Sequence, residues 1–296
     1  MMKSILLTIC HVLWLTLPIS ATAANIWPSN EKNGYFRGIV IEGEIKFGDF
    51  DRFLDLIKTN HGQVNSIYLY SSGGDFYEAM KIGQAIRELE LHSQVPMKGE
   101  NNYPDCQESK WSYVPLPKNK KNCSCASACF FIHIGGISRG GTYLAVHRPY
   151  FATNKFGELS VVEAKKEFDT LQNSARKYMG TMNVPEHIQE DVLGTPSDRI
   201  LILSDKTIKT YFWLDLPYRH EWLMNKCSRL SSDEKSRFEA YKKKVSRLRN
   251  PSARDFSKSD LNDYVTLSDK QMEEVECVSS VVKESRIKAY KRYFDK

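Results

Sequence analysis

Three short segments of the chain carry residue types suited to acyl-transfer chemistry. Cys125-Ala126-Ser127-Ala128-Cys129 sets a serine just before an apolar run, Ala128 to Ile134, that can open a helix. Ala145-Val146-His147-Arg148-Pro149 sets a histidine at the end of a short apolar strand, Tyr143 to Val146. A serine at a turn and an imidazole at a strand end suit a nucleophile and its general base. Ser71-Ser72-Gly73-Gly74 follows the strand-like Ser66-Ile67-Tyr68-Leu69-Tyr70. A Gly-Gly turn at a strand end can turn bare backbone N–H groups toward an oxyanion. Together these segments describe a serine hydrolase. Ser127 attacks a carbonyl, His147 takes its proton, and Gly74 or Gly73 holds the oxyanion with the Ala128 N–H, Gly74 being the favoured glycine. Each segment also has a plain structural reading: a helix-capping serine, a buried histidine bonded to backbone, a tight turn. Their occurrence together, in this order, favours the chemistry.

The elements that must position these residues read as follows. Phe36 to Glu44 alternates as a strand, and Phe50, Phe53, Leu54, Leu56 and Ile57 follow at helical spacing. Ser66 to Tyr70 is a second strand. Asp75 caps a helix running through Ala79, Ile82, Ala85, Ile86 and Leu89. Gln94 to Met97 reads as a third strand. Strand–helix–strand–helix–strand implies parallel strands with crossover helices. Residues 99–122 are polar and carry Pro104, Pro115 and Pro117, so they read as an inserted loop tied down near its ends by Cys106 and Cys123. Helices are expected over Val161 to Met179, Pro185 to Val192 and Lys206 to Tyr211, with a short strand over Ile200 to Leu203. Charged helices take over near Trp222. One covers Asp233 to Leu248 and breaks at Asn250-Pro251; a second starts near Asp269 and runs to the end.

The first residues read as an address. Lys3, the apolar run Ile5 to Leu17 and the Ala21-Thr22-Ala23 site describe a signal peptide over residues 1–23, cleaved after Ala23. The run is short of the roughly 20 apolar residues that span a bilayer. Export then gives the six remaining cysteines, Cys106, Cys123, Cys125, Cys129, Cys227 and Cys277, a disulfide reading. Cys227 and Cys277 stand alone in the tail and staple it; the other four pair among themselves around the Ser127 turn. Zinc at Cys123, Cys125 and Cys129 is the rival, disfavoured by the spacing and by the lack of a suitably placed histidine. No metal or organic cofactor is implied. The net charge is +6, and Glu221 to Lys296 holds 18 Lys+Arg against 13 Asp+Glu, so the excess is in the tail. Its mixed charges, densest at Lys242-Lys243-Lys244, read as a solvated face, with contact to an anionic membrane surface as the alternative. Export argues against nucleic acid.

The arrangement resembles the Clp-protease/crotonase superfamily, and within it the exported ClpP-like proteins of bacterial periplasms. The resemblance covers residues 36–216. It rests on the Ser71-Ser72-Gly73-Gly74 turn, on Ala126-Ser127-Ala128-Cys129 at the family's nucleophile turn, and on Val146-His147-Arg148-Pro149 at its histidine. Gly135-Gly136-Ile137-Ser138-Arg139 lies between them. Asp198, ahead of Leu203-Ser204 and Tyr211, matches the family's third triad member, with Asp191 and Asp205 as neighbouring alternatives. The chain departs from the family in Cys129, which stands where the family has glycine, and in the 99–122 insert. The resemblance implies an α/β fold with a ClpP/crotonase-like core of repeated strand–helix units over residues 24–220. A helical C-terminal extension follows over 221–296. It also implies a peptide or protein substrate and assembly into a homo-oligomer. Without ATP in the periplasm, the activity implied is ATP-independent serine hydrolysis, most simply peptidase action. A catalytically silent peptide-binding or partner-binding member, an acyl-handling crotonase-type protein and a Ser–Lys peptidase are the other readings.

Overall fold

The structure, a computed structural model, describes residues 23–30, 37–60, 63–107, 114–151, 156–212, 215–247 and 257–295. The signal-peptide reading, apart from Ala23, and the Asn250-Pro251 break lie outside them. In chain order the main elements are β1 (Asn25–Asn30), β2 (Arg37–Glu42), α1 (Asp49–Thr59), β3 (Ser66–Tyr70), α2 (Phe76–Glu88) and β4 (His92–Gln94). The insert adds β5 (Met97–Lys98) and β6 (Pro104–Asp105). The following segment adds α3 (Ala128–His133), β7 (Arg139–Gly140), β8 (Ala145–Val146), α4 (Val161–Thr181), α5 (Glu186–Gly194), β9 (Leu201–Ile202) and α6 (Asp205–Tyr211). The tail is α7 (Pro217–Cys227), α8 (Ser232–Arg247) and α9 (Lys258–Phe294).

The main sheet has the order β1-β2-β3-β4-β7. β2, β3, β4 and β7 run parallel, and β1 lies antiparallel on the edge. The repeated strand–helix units expected from the periodicity are therefore present, in a mixed α/β fold with a helical C-terminal part. The apolar positions fill one core: Ile39, Ile41, Phe53, Ile67, Leu69, Ile82, Ile86, Phe130 and Ile132 are buried within it.

Three expectations shift. β1 escaped the sequence reading because Pro28 and its polar neighbours do not look like a strand; proline is tolerated there because β1 is an edge. The third strand is His92–Gln94 rather than Gln94–Met97, since Met97 turns away to pair with Asp105. The last helix starts at Lys258, not Asp269. Tyr264 and Leu267 make that extra stretch worth forming, because they pack on Phe238, Tyr241 and Leu230.

Two clusters of polar bonds lock the elements that matter for the site. Glu78, buried on α2, accepts hydrogen bonds from the N–H groups of Gly48 and Phe50 and from Lys81, so it fixes the start of α1 against α2. At the other end of the core, Arg87 and the buried Arg139 donate to the carbonyls of Ile134, Gly135 and Met182, which terminate α3 and α4. Guanidinium groups suit helix C-termini, where carbonyls lack partners. The Gly83–Gly135 contact lets α2 and α3 approach closely: a Cβ at Gly135 would lie 2.1 Å from the Gly83 carbonyl oxygen.

The tail is fastened to the opposite end of the sheet from the Gly-Gly turn. Cys227 of α7 is bonded to Cys277 of α9. Further along α9, Ser285 donates to Glu90, and Tyr290 donates to the Lys58 carbonyl. Tyr290, Tyr293 and Phe294 pack on the core. Lys58 and Glu90 lie where α1 and α2 end, at the N-terminal side of the parallel strands.

Burial raises the Glu78 pKa, but the bonds from Lys81, Phe50 and Gly48 outweigh it and hold the carboxyl below the ordinary value. Its contribution to stability is therefore present at neutral pH and lost as pH falls through that lowered value. Glu78→Gln is expected to cost about 2 kcal/mol at pH 7. In thermal melts from pH 7 to pH 3, the gap between wild type and variant should close toward the acid end. A gap independent of pH would contradict the charged anchor.

Candidate active site

A short backbone ladder brings the three sequence segments together. The end of β3 continues into Ser71, whose N–H donates to the Ser124 carbonyl at 2.7 Å and whose carbonyl accepts from the Ala126 N–H at 3.0 Å. On its other side the same segment meets β8: the Ala145 N–H donates to the Cys125 carbonyl, and the Ser127 N–H donates to the Ala145 carbonyl at 2.9 Å. Residues 124–127 thus run between the Gly-Gly turn and the histidine strand. His147 follows Ala145 by two positions, so the register that fixes Ser127 also fixes His147.

At Ser127 the chain turns sharply from this strand into α3. Its backbone has φ 55° and ψ −120°. A side-chain-bearing residue held at such a positive φ costs about 1–3 kcal/mol and persists only where its surroundings over-determine it. Here they do. The Cys125–Cys129 disulfide joins the strand to the first turn of α3 across the serine. Closing so short a loop contributes about 2 kcal/mol on the chain-entropy account, the same order as the strain. The Phe130 N–H donates to the Ser127 carbonyl, and the Cys129 N–H to the Ala126 carbonyl. A serine presented on a strained strand-to-helix turn is the arrangement that exposes a nucleophilic hydroxyl.

The glycine turn abuts it. Gly73 and Gly74 have φ of 118° and 134°, conformations that side chains rarely adopt. A Cβ on Gly73 would lie 2.7 Å from Ser127 Cβ, and one on Gly74 would lie 2.1 Å from the Ile45 carbonyl oxygen. The turn is braced on that side by bonds from the Ile45 N–H to the Gly73 carbonyl and from the Asp75 N–H to the Ile45 carbonyl. The two glycines differ in what their amides do. The Gly73 N–H is spent on Ser71 Oγ at 3.1 Å. Among the described residues, the N–H groups of Gly74 and Ala128 have no hydrogen-bond partner. Both residues line one cavity of about 730 Å³, together with Ser127 and His147. Phe47, Phe76, Phe131 and Tyr150 give that cavity aromatic walls.

His147 is buried except for its face on the cavity, and its Nδ1 lies 2.9 Å from the Arg148 carbonyl oxygen. A carbonyl can only accept, so in the neutral ring Nδ1 carries the proton and Nε2 is left as the acceptor. That is the tautomer a general base requires. Ser127 Oγ and His147 share no hydrogen bond within 3.5 Å.

Glu44 and Asp75 line the cavity, but the carboxylates expected from the sequence are placed elsewhere. Asp198 is exposed and does not line the cavity. Its segment does approach: the Arg148 N–H donates to the Thr195 carbonyl, and β8 pairs with β9. Asp191 is exposed, and Asp205 pairs with Lys98 at 2.7 Å. The structure thus brings together Ser127, Ala128, Gly73, Gly74 and His147, and does not bring Asp198 to them.

His133 is fully buried with Nδ1 on Ser93 Oγ; burial and then Arg139 pull its pKa down to about 3, so it stays neutral. His61 lies outside the described residues. The cysteines form Cys106–Cys123, Cys125–Cys129 and Cys227–Cys277, so Cys123, Cys125 and Cys129 are not metal ligands. Among the described residues, no group of three or more His, Cys, Asp or Glu could hold a metal ion. None of their helices is long and apolar enough to cross a membrane.

Two features escaped the sequence reading. Ser71 Oγ bridges the N–H and carbonyl of Gly73 and so holds the turn. A Ser two residues before a Gly is a turn signal that could have revealed it. The Arg148 carbonyl has no side-chain signature at all.

No family model matches the sequence, and no curated protein matches it. Solved structures do show a likeness. A mutant of the 1510-N membrane-bound stomatin-specific protease is 18% identical, covering 64% of this chain and 83% of its own, with a TM-score of 0.38. A mutant of ClpP1 from Listeria monocytogenes is 17% identical, covering 60% and 88%, also with a TM-score of 0.38.

Gly74→Ala tests the tight turn. The added methyl must displace the Ile45 backbone and hold a positive φ, which costs more than about 1 kcal/mol. The thermal midpoint is expected to fall by at least about 2–4 °C. An unchanged midpoint would mean that Ile45 does not pack against the turn as described.

Proposed function

We propose that this chain is an exported, ATP-independent serine hydrolase acting on peptides or proteins. The single observation that carries the reading is the backbone of Ser127. A serine held at φ 55° on a covalently braced strand-to-helix turn, beside unpartnered N–H groups of Gly74 and Ala128, has an evident use in catalysis and none in packing.

In this reading Ser127 Oγ attacks the carbonyl carbon of the scissile bond and passes its proton to His147 Nε2. The oxyanion accepts hydrogen bonds from the N–H groups of Gly74 and Ala128, with Gly73 shaping the turn through Ser71. The C–N bond then breaks, and the imidazolium returns the proton to the leaving amine. A water molecule, deprotonated by His147, releases the acyl group. The Arg148 carbonyl keeps the imidazole in the required tautomer. It carries no full charge, so it stabilises the imidazolium less than a carboxylate would. Three disulfides fit an oxidising compartment, which supports export over residues 1–23 and a periplasmic address.

That uncharged partner on His147 also favours a second reading, a peptide-binding protein that does not turn substrate over. Labelling with a fluorophosphonate, followed by peptide mapping, separates the two. The hydrolase reading expects a single adduct on Ser127, absent in Ser127→Ala and slowed about 10²–10⁴-fold in His147→Ala. Asp198→Ala should label at nearly the wild-type rate. A folded wild type that takes no label would favour the binding protein. Loss in Asp198→Ala as deep as in His147→Ala would return the orienting role to Asp198.

A further inference from the structure

The Cys125–Cys129 disulfide stands apart from the other two. Cys106–Cys123 ties the insert to the residue just before Ser124, and Cys227–Cys277 ties the tail, so neither bond spans Ser127. Cys125–Cys129 spans four positions with Ser127 at the centre. Both of its cysteines are fully buried, whereas Cys106 and Cys123 are half-buried.

Apart from this bond, the turn itself is held by hydrogen bonds from the Phe130 and Cys129 N–H groups to the Ser127 and Ala126 carbonyls. α3 has six residues, below the length at which a helix is stable by itself. The strand before it is held by single backbone bridges to Ser71 and Ala145 rather than by a full ladder. Ser127 sits between these two weak elements in a conformation that serine disfavours. Without a covalent tie, the lowest-energy course for the turn is to relax Ser127 to a negative φ. Its hydroxyl would then leave the Gly73 face against which it packs, and the Ala128 N–H would turn with the helix start. The positions of Cys125, bridged to Ser71, and of Cys129, in the first helical turn, are those that forbid this relaxation.

We infer that the Cys125–Cys129 disulfide is a positioning element of the nucleophile turn, so that the site is assembled only in oxidised protein. The inference rests on the hydrolase reading. Bond formation removes two protons and two electrons from the two thiols. The acceptor is an oxidant of the disulfide class, reduced to its dithiol. In a reducing compartment the chain would carry the same residues with Ser127 relaxed. Burial of both sulfurs makes the finished bond slow to reduce, so the device acts once, on maturation, and is not a reversible switch.

The test compares inactivation of wild type by a fluorophosphonate with that of Cys125→Ala/Cys129→Ala, using Cys227→Ala/Cys277→Ala, at the tail disulfide, as control. In the first variant the limiting inactivation rate should fall at least tenfold while the half-saturating concentration holds. The control should label at nearly the wild-type rate. A role confined to overall stability would leave the limiting rate unchanged in folded protein, and that result overturns the inference.

Wild type exposed to increasing dithiothreitol gives an independent measure if the variant does not fold. Samples are labelled, acid-quenched, alkylated and mapped. Cys106–Cys123 is expected to open first without loss of labelling, and labelling should fall in step with the opening of Cys125–Cys129. Full labelling of molecules whose Cys125 and Cys129 are both alkylated overturns the inference while leaving the hydrolase reading intact. A folded, oxidised wild type that takes no label overturns both.

Discussion

Everything at the site depends on one narrow ladder of backbone hydrogen bonds. Ser71, residues 124–127 and Ala145 are joined by four N–H···O contacts, and through them three segments far apart in sequence reach a common register. Each bond contributes only about 1 kcal/mol net. Their effect is geometric. A slip of one position would turn Ser127 away from Gly73 and carry His147 off the cavity. The parallel sheet serves to deliver Ser71 to this ladder: β3 is buried along its whole length, with Ile67 and Leu69 in the main core and Tyr68 and Tyr70 in a second cluster with Val40, Trp27, Cys106 and Val114, and it ends where the glycine turn begins.

The molecule reinforces the ladder from several directions. Ile45 braces the glycine turn from below, Glu78 fixes the helices behind it, and Arg87 and Arg139 secure the far end of α3. The tail fastens to the other end of the sheet, which leaves the cavity open on its own side. Strain at Ser127 is thus carried by a rigid frame. Backbone N–H groups held in advance need no reorganisation when a charge develops beside them, and such preorganisation is the physical basis of oxyanion stabilisation.

How much of this was legible in the sequence follows from which interactions have side-chain signatures. The βαβ units were readable because Ile39, Ile41, Phe53, Ile57, Ile82 and Ile86 repeat at strand and helix periods. Asp75 announced its cap, and the side chain does accept from the Glu78 N–H. Cysteine grouping in the chain was enough to anticipate Cys227–Cys277 and to set the other four apart, but it left open how those four pair. Ser127, His147 and the glycines were visible as residue types in a family-like order. The carboxylate was the weak point. A motif assigns a residue by its place in the chain, but α4 and α5 lie between His147 and Asp198, and the turn after Thr195 that carries Asp198 follows a path no periodicity encodes. The histidine's actual partner is a main-chain carbonyl, which every residue possesses and no sequence can flag. The β1 strand failed for the opposite reason: its residues look like a loop, and only pairing with β2 makes them a strand.

The most direct test of the account is an experimental structure of the protein after reaction with a small alkyl fluorophosphonate. The phosphonyl group mimics the tetrahedral intermediate and carries an oxygen where the oxyanion would form. The expected result is a covalent bond from Ser127 Oγ to phosphorus, with that oxygen within about 3 Å of the Gly74 and Ala128 nitrogens. His147 Nε2 should face the Ser127 oxygen with Nδ1 still on the Arg148 carbonyl. An adduct whose oxygen points to solvent, or one that forms with Ser127 relaxed to a negative φ, would contradict the claim that the strained turn exists to assemble this site.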